Sequence, residues 1–90
     1  MYRVDWLQTA LNQLAAIWTD SDSTMRKAIT SAKMEIDRKL LTDPLGESES
    51  RSGGRRVIFV FPLGILFKIE PDGLTVSVLQ VWLFRKKTKG

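Results

Sequence analysis

The chain is predicted to fold as an α+β domain with its elements in the order β-α-α-β-β-β. Two stretches with apolar residues at helical spacing lie together in the N-terminal half. Arg55 to Ile69 then holds two apolar runs, rich in β-branched and aromatic residues and split by Pro62-Leu63-Gly64, which reads as a buried hairpin. A third strand-like run follows the turn residues Pro71-Asp72-Gly73. Strands joined by short links form an antiparallel meander, and the helices must cover one of its faces.

The first element is short. Tyr2, Val4 and Trp6 alternate with Arg3 and Asp5, the pattern of a half-buried strand expected at one edge of the sheet. Leu7, Ala10, Leu11, Leu14, Ala15 and Trp18 then recur at three- and four-residue spacings and predict a helix to about Thr19 with one apolar stripe. Asp20-Ser21-Asp22-Ser23 suits a turn and the cap of the next helix, because these side chains bond to nearby backbone. Met25, Ala28, Ile29, Ala32, Ile36 and Leu40 mark the apolar side of a second helix, from Ser23 to Leu41. Arg26, Lys27, Lys33, Asp37 and Arg38 lie mostly on its solvated side. The short link predicts an antiparallel helical hairpin.

Pro44 stops the second helix, and Thr42 to Gly54 reads as a mobile Gly/Ser loop that carries Glu47, Glu49 and Arg51. In the last strand, Leu74, Val76 and Val78 alternate with Thr75 and Ser77. The phase then slips to Leu79, Val81 and Leu83, which predicts a bulge or an end buried on both faces. The expected organisation is one domain: strand 1–6, helical hairpin 7–41, loop 42–54, three-stranded meander 55–84 and basic tail 85–90.

Composition excludes several chemistries. The 90 residues include no cysteine and no histidine, so thiolate nucleophiles, disulfides, histidine bases and imidazole metal sites are ruled out. The acidic residues show no metal-ligand spacing, and neither metal nor cofactor is expected. Met1 to Trp6 lacks the apolar core of a secretory signal. The longest apolar stretch, Val57 to Phe67, is far short of the ~20 residues of a membrane span, so the expectation is a soluble cytoplasmic protein. Residues 1–50 carry six Lys and Arg against eight Asp and Glu, while residues 51–90 carry eight against two. A C-terminal half of +6 points to a polyanion or an acidic protein segment as partner. Arg55 and Arg56, at strand spacing, point to opposite faces, one to a partner or ligand and one to solvent.

The ordered set of strings resembles the RelE/ParE superfamily of bacterial toxin–antitoxin toxins over nearly the whole chain. Tyr2-Arg3-Val4-Asp5-Trp6 with the Leu/Ala-rich helix looks like its start. Ile36-Asp37-Arg38-Lys39-Leu40-Leu41 with Asp43-Pro44-Leu45 is similar to the end of its second helix. Gly54 to Val60, Pro62-Leu63 and Ile65 to Ile69 resemble its central hairpin, and Val76 to Phe84 its last strand. The resemblance implies a small toxin neutralised by a co-encoded antitoxin, acting on mRNA at the ribosome or on DNA gyrase, or catalytically degenerate. Ribonuclease members usually carry an arginine that opens the third strand, where this chain has Gly64, and a C-terminal His/Tyr or Arg/Tyr group, where it has Trp82-Leu83-Phe84-Arg85-Lys86. Cleavage by 2′-OH attack needs a base, a leaving-group acid and fixed cations. The tentative catalytic set is Arg56, Arg55, Glu49 and Arg85. Arg51, Lys68, Lys86 and Lys87 are candidates for target or RNA binding, and Trp82 and Phe84 for antitoxin contact. Three readings stay open: a toxin that inhibits by binding, a ribosome-dependent endoribonuclease, and a basic nucleic-acid-binding protein.

Overall fold

The structure, a computed structural model, describes residues 1–84. The elements are β1 (Arg3–Trp6), α1 (Gln8–Thr19), α2 (Ser23–Thr42), β2 (Glu49–Ser50), β3 (Arg55–Val60), β4 (Leu63–Ile69) and β5 (Thr75–Leu83). A single 3₁₀ turn, Ser52–Gly54, leads into β3. The five strands form one sheet in the order β1-β5-β4-β3-β2. The meander β3-β4-β5 is antiparallel, and β1 joins β5 in parallel at one edge. The predicted α+β order is present with one addition. Glu49 and Ser50, expected in a mobile loop, pair with Val57 and Arg56 as a two-residue edge strand. So short a strand leaves no hydrophobic period in the sequence to reveal it.

Local chemistry explains the boundaries. Asp22 caps α2, its carboxylate accepting the Met25 N–H at 2.8 Å. Pro44 follows the end of α2 and is itself buried. Phe61-Pro62, joined by a cis peptide bond, form the two-residue link between β3 and β4. Gly73 takes φ +72° in the β4–β5 turn, a conformation that disfavours a side chain. Leu66 pairs with Gln80 but Phe67 pairs with Val78, so Leu79 is the extra residue of a bulge. That bulge is the predicted phase slip, and it keeps Val76, Val78 and Val81 all buried.

Both helices lie on one face of the sheet, α1 chiefly over β5 and α2 over β3, β1 and β4. The core between the layers is built from Ala10, Ile29, Ile36, Leu40, Phe67, Val78 and their neighbours. Two polar links fasten the layers. Trp6 Nε1 donates to Asp37 at 2.7 Å, while Lys33 pairs with the same carboxylate at 2.8 Å and sits 4.8 Å from the Trp6 ring. Gln13 accepts the Val81 N–H at 2.8 Å, beyond the point where β1 stops pairing with β5. Lys33 and Asp37, assigned to a solvated face by periodicity, therefore work as an anchor.

Candidate functional site

The predicted stripe of α1 needs correction. Of Leu7, Ala10, Leu11, Leu14, Ala15 and Trp18, only Ala10 is fully buried and Leu14 half-buried; Ile17 completes the buried side. At ~100° per residue the apolar arc from Ile17 to Ala15 spans about 160° of the helix, and the sheet covers only one side of it. Leu11 and Trp18 remain 39% and 43% exposed. With Ile29, Thr30 and Lys33 of α2 they line a hollow of about 350 Å³ between the helices. Its floor is apolar and its rim is basic. Arg26 lies 4.3 Å from the Trp18 ring and donates to the Trp18 and Thr19 carbonyls at 2.8 and 2.9 Å, which caps the C-terminus of α1 and fixes the indole. Lys27 lines an adjoining hollow that shares Trp18 and Thr30 with the first. No acidic side chain lines either hollow. An apolar arc too wide for one contact was the sequence signal for this groove.

The second surface is the helix-free face of the sheet. Phe59, Gly64 and Trp82 stand side by side on β3, β4 and β5. A Cβ on Gly64 would lie 2.5 Å from Trp82 Cε2, so the indole fills the space where a side chain of β4 would project. Phe59 meets Trp82 edge-on with ring centroids 6.1 Å apart and meets Phe84 at 5.0 Å, and Phe84 meets Phe61 at 6.0 Å. Phe59 and Phe61 are 43% and 49% exposed. Trp82 and Phe84, expected to contact an antitoxin, thus belong to an aromatic cluster on the opposite side of the molecule from the interhelix groove.

Of the four tentative catalytic residues, Arg55, Arg56 and Glu49 are described, and each is placed differently. Arg55 and Arg56 do take opposite faces of β3, as alternation predicts, yet both reach the rim of a small hollow of about 160 Å³ with Leu45, Ser50, Gly54 and Ile69, and the Arg56 guanidinium is tied down there. Its Nε donates to Ser48 Oγ at 2.7 Å, and its Nη2 donates to the carbonyls of Leu45 and Ser48 at 3.2 and 3.1 Å. It clips the turn after α2 onto β3. Arg55 is exposed on the helix-free face and makes no side-chain hydrogen bond or ion pair among the described residues. Glu49 lies on β2 and pairs with Arg51 at 3.6 Å. Glu47 pairs with Lys39, and Lys68 with Glu70 at 3.6 Å. Arg85, Lys86 and Lys87 lie outside the described residues. No group of three or more Asp and Glu suited to a metal occurs among the described residues, and no helix there is long and apolar enough to cross a membrane.

No protein-family model and no curated protein matches the chain. Solved structures do. A chain of the toxin-antitoxin complex RelBE2 from Mycobacterium tuberculosis is 19% identical, with 91% of this chain and 90% of that one covered and a TM-score of 0.71. A chain of the chromosomal ParDE system from P. aeruginosa is 18% identical, with coverage of 94% and 98% and a TM-score of 0.73. The isolated E. coli RelE toxin is 17% identical, with coverage of 97% and 88% and a TM-score of 0.63. The chain has the α+β fold of these RelE- and ParE-type proteins, the fold that its sequence resemblance implied.

Proposed function

We propose that this protein is the toxin of a type II toxin–antitoxin pair, held by its antitoxin in the interhelix groove and acting on its target by binding rather than by cleavage. The shared fold supports the first part. The groove supports the mode of capture. An apolar floor with Arg26, Lys27 and Lys33 at its edge suits an amphipathic helix that carries an apolar ridge and acidic flanks. The observation that carries the second part is Gly64 under the Trp82 indole. Where ribonuclease members usually place a cation, this chain has an aromatic floor, and nothing fixes a cation there to stabilise a phosphorane. The helix-free face is then the acting face. Its target is in translation or in DNA topology.

The test is co-expression with the product of an adjacent small gene. That product should co-purify with this protein and relieve any growth arrest. Trp18→Glu, at a half-exposed position, should abolish co-purification while leaving the circular dichroism spectrum unchanged. Absence of co-purification with the native chain sinks the antitoxin half of the proposal. Primer extension on translated mRNA after induction tests the other half, and new cleavage sites would sink binding-only action.

A further inference from the structure

We infer that the helix-free face is the contact surface of a two-fold homodimer, with the aromatic clusters of two copies packed together and Arg55 of each copy paired with Asp5 of the other. A second copy seated there covers the face. The dimer is then the silent form of the protein, a consequence that rests on the reading of this face as the acting one. The contact itself does not need that reading, and it lies on the opposite side of the molecule from the interhelix groove.

The helices lie on the other face of the sheet. On this one, Phe59 and Phe61 stay about half exposed and join Trp82 and Phe84 through edge contacts. A contiguous aromatic patch with no charged member marks an interaction surface. Gly64 keeps the patch low. The Trp82 indole occupies the space of a β4 side chain there, so nothing stands up between Phe59 and Trp82 to hold a facing sheet away.

The charges beyond the patch select a second copy as its occupant. Arg55, Lys68, Ser77 and Asp5 are successive register partners and form one row across β3, β4, β5 and β1 on this face. Lys68 pairs with Glu70 at 3.6 Å, and Ser77 donates to the same carboxylate. Arg55 and Asp5, at opposite ends of the row, are exposed and make no side-chain hydrogen bond or ion pair among the described residues. Cation and anion thus stand about 14 Å apart, three strand spacings of ~4.8 Å. A two-fold axis parallel to the strands and midway along that row, between β4 and β5, reverses the row and keeps its height. Arg55 of each copy then faces Asp5 of the other, which is the self-complementarity of an isologous contact. The aromatic cluster, centred four residues further along β3, faces its own copy under the same axis. Twisted sheets pack in this aligned way at ~30° to one another. They lie ~10 Å apart, a gap that an arginine and an aspartate close when they reach toward each other. A polyanion or an acidic peptide would meet Asp5 at one end of the row, whereas a second copy satisfies both ends.

The experiment is sedimentation velocity of the purified full chain from about 5 to about 500 µM, the range expected of a small interface. A reversible monomer–dimer equilibrium is expected. Arg55→Asp and Asp5→Arg, both at exposed positions, should each weaken the dimer at least about tenfold, because each sets like charges together at both contacts. An equimolar mixture of the two variants should dimerise as tightly as the native chain, since the mixed dimer restores opposite charges at both contacts. Phe61→Ala should weaken the native dimer roughly tenfold by removing apolar contact. Four results overturn the inference: a monomer at every concentration, open-ended association beyond the dimer, native-strength dimers in both charge variants, or a mixture that associates no more tightly than either variant alone. These outcomes are read from sedimentation, whereas the acting face is tested by growth arrest and the groove by co-purification, so the proposals fail separately.

Discussion

Replacing Gly64 with alanine should destabilise the protein, against the usual direction for a glycine inside a strand. Alanine in place of a strand glycine normally gains about 0.5–1 kcal/mol, because glycine loses more backbone freedom on folding. Here the new methyl would sit 2.5 Å from Trp82 Cε2 and 2.6 Å from Nε1, where ordinary contact is 3.4–4 Å. The indole must withdraw by about 1 Å, yet Phe59 abuts it. Overpacking of this kind costs about 1–3 kcal/mol, so the net expectation is a loss of about 1 kcal/mol or more. In a Trp82→Ala background the clash is gone and Gly64→Ala should be neutral or stabilising. The coupling between the two positions should therefore be about −2 kcal/mol, read as a double-mutant cycle in urea. Tryptophan fluorescence should change in Gly64→Ala alone, as Trp82 leaves its seat. A Gly64→Ala protein as stable as the native one, with additive behaviour in the cycle, would refute the argument that Trp82 dictates this glycine. It would also remove the main reason for treating the site as an aromatic floor.

Other consequences follow from the polar links. Arg56→Ala strands the Leu45 and Ser48 acceptors and should cost about 1–3 kcal/mol, with faster amide exchange over residues 45–50. Gln13→Ala leaves the Val81 N–H without its partner and should cost about 1–3 kcal/mol, with Val81 exchanging faster, whereas its i+4 neighbour Ile17 should not respond. Asp72 accepts the Leu74 and Thr75 N–H groups and the Thr75 hydroxyl, and these bonds, with Arg3 nearby, hold its carboxyl below the ordinary 3.8. Its contribution to stability is thus fully present above the ordinary value and is lost as pH falls through the lowered one. Carbon-detected NMR titration should show Asp72 titrating below 3.8, and Asp72→Asn should flatten the acid limb of the stability curve.

The order of elements was legible because each strong period stood alone. Alternation at Tyr2 to Trp6, helical spacing through Leu40 and two β-rich runs around Pro62 admit few arrangements. The slip near Leu79 was readable too, as either a bulge or burial on both faces, and the pairing of β4 with β5 makes it a bulge. The site was less legible. Arg55-Arg56 looked like a functional pair, but nothing in an arginine's sequence context says where its guanidinium will find acceptors. For Arg56 they come from a turn eight to eleven residues earlier, brought close only by the pairing of β2 with β3.

By itself the sequence determined the α+β order, the absence of thiol and imidazole chemistry, the basic C-terminal half and the vacancy at residue 64. Those properties depend on residue identity and local period. Only the tertiary structure decided what surrounds them. Trp82 fills the space above Gly64 because β4 and β5 pair in one register, and Trp18 stays open because the sheet covers just one side of the α1 arc. Residues eighteen apart along the chain became a single floor, and a stripe that looked like core became a groove. Contact between distant segments depends on strand register and helix placement, and neither quantity is carried by any one stretch of sequence.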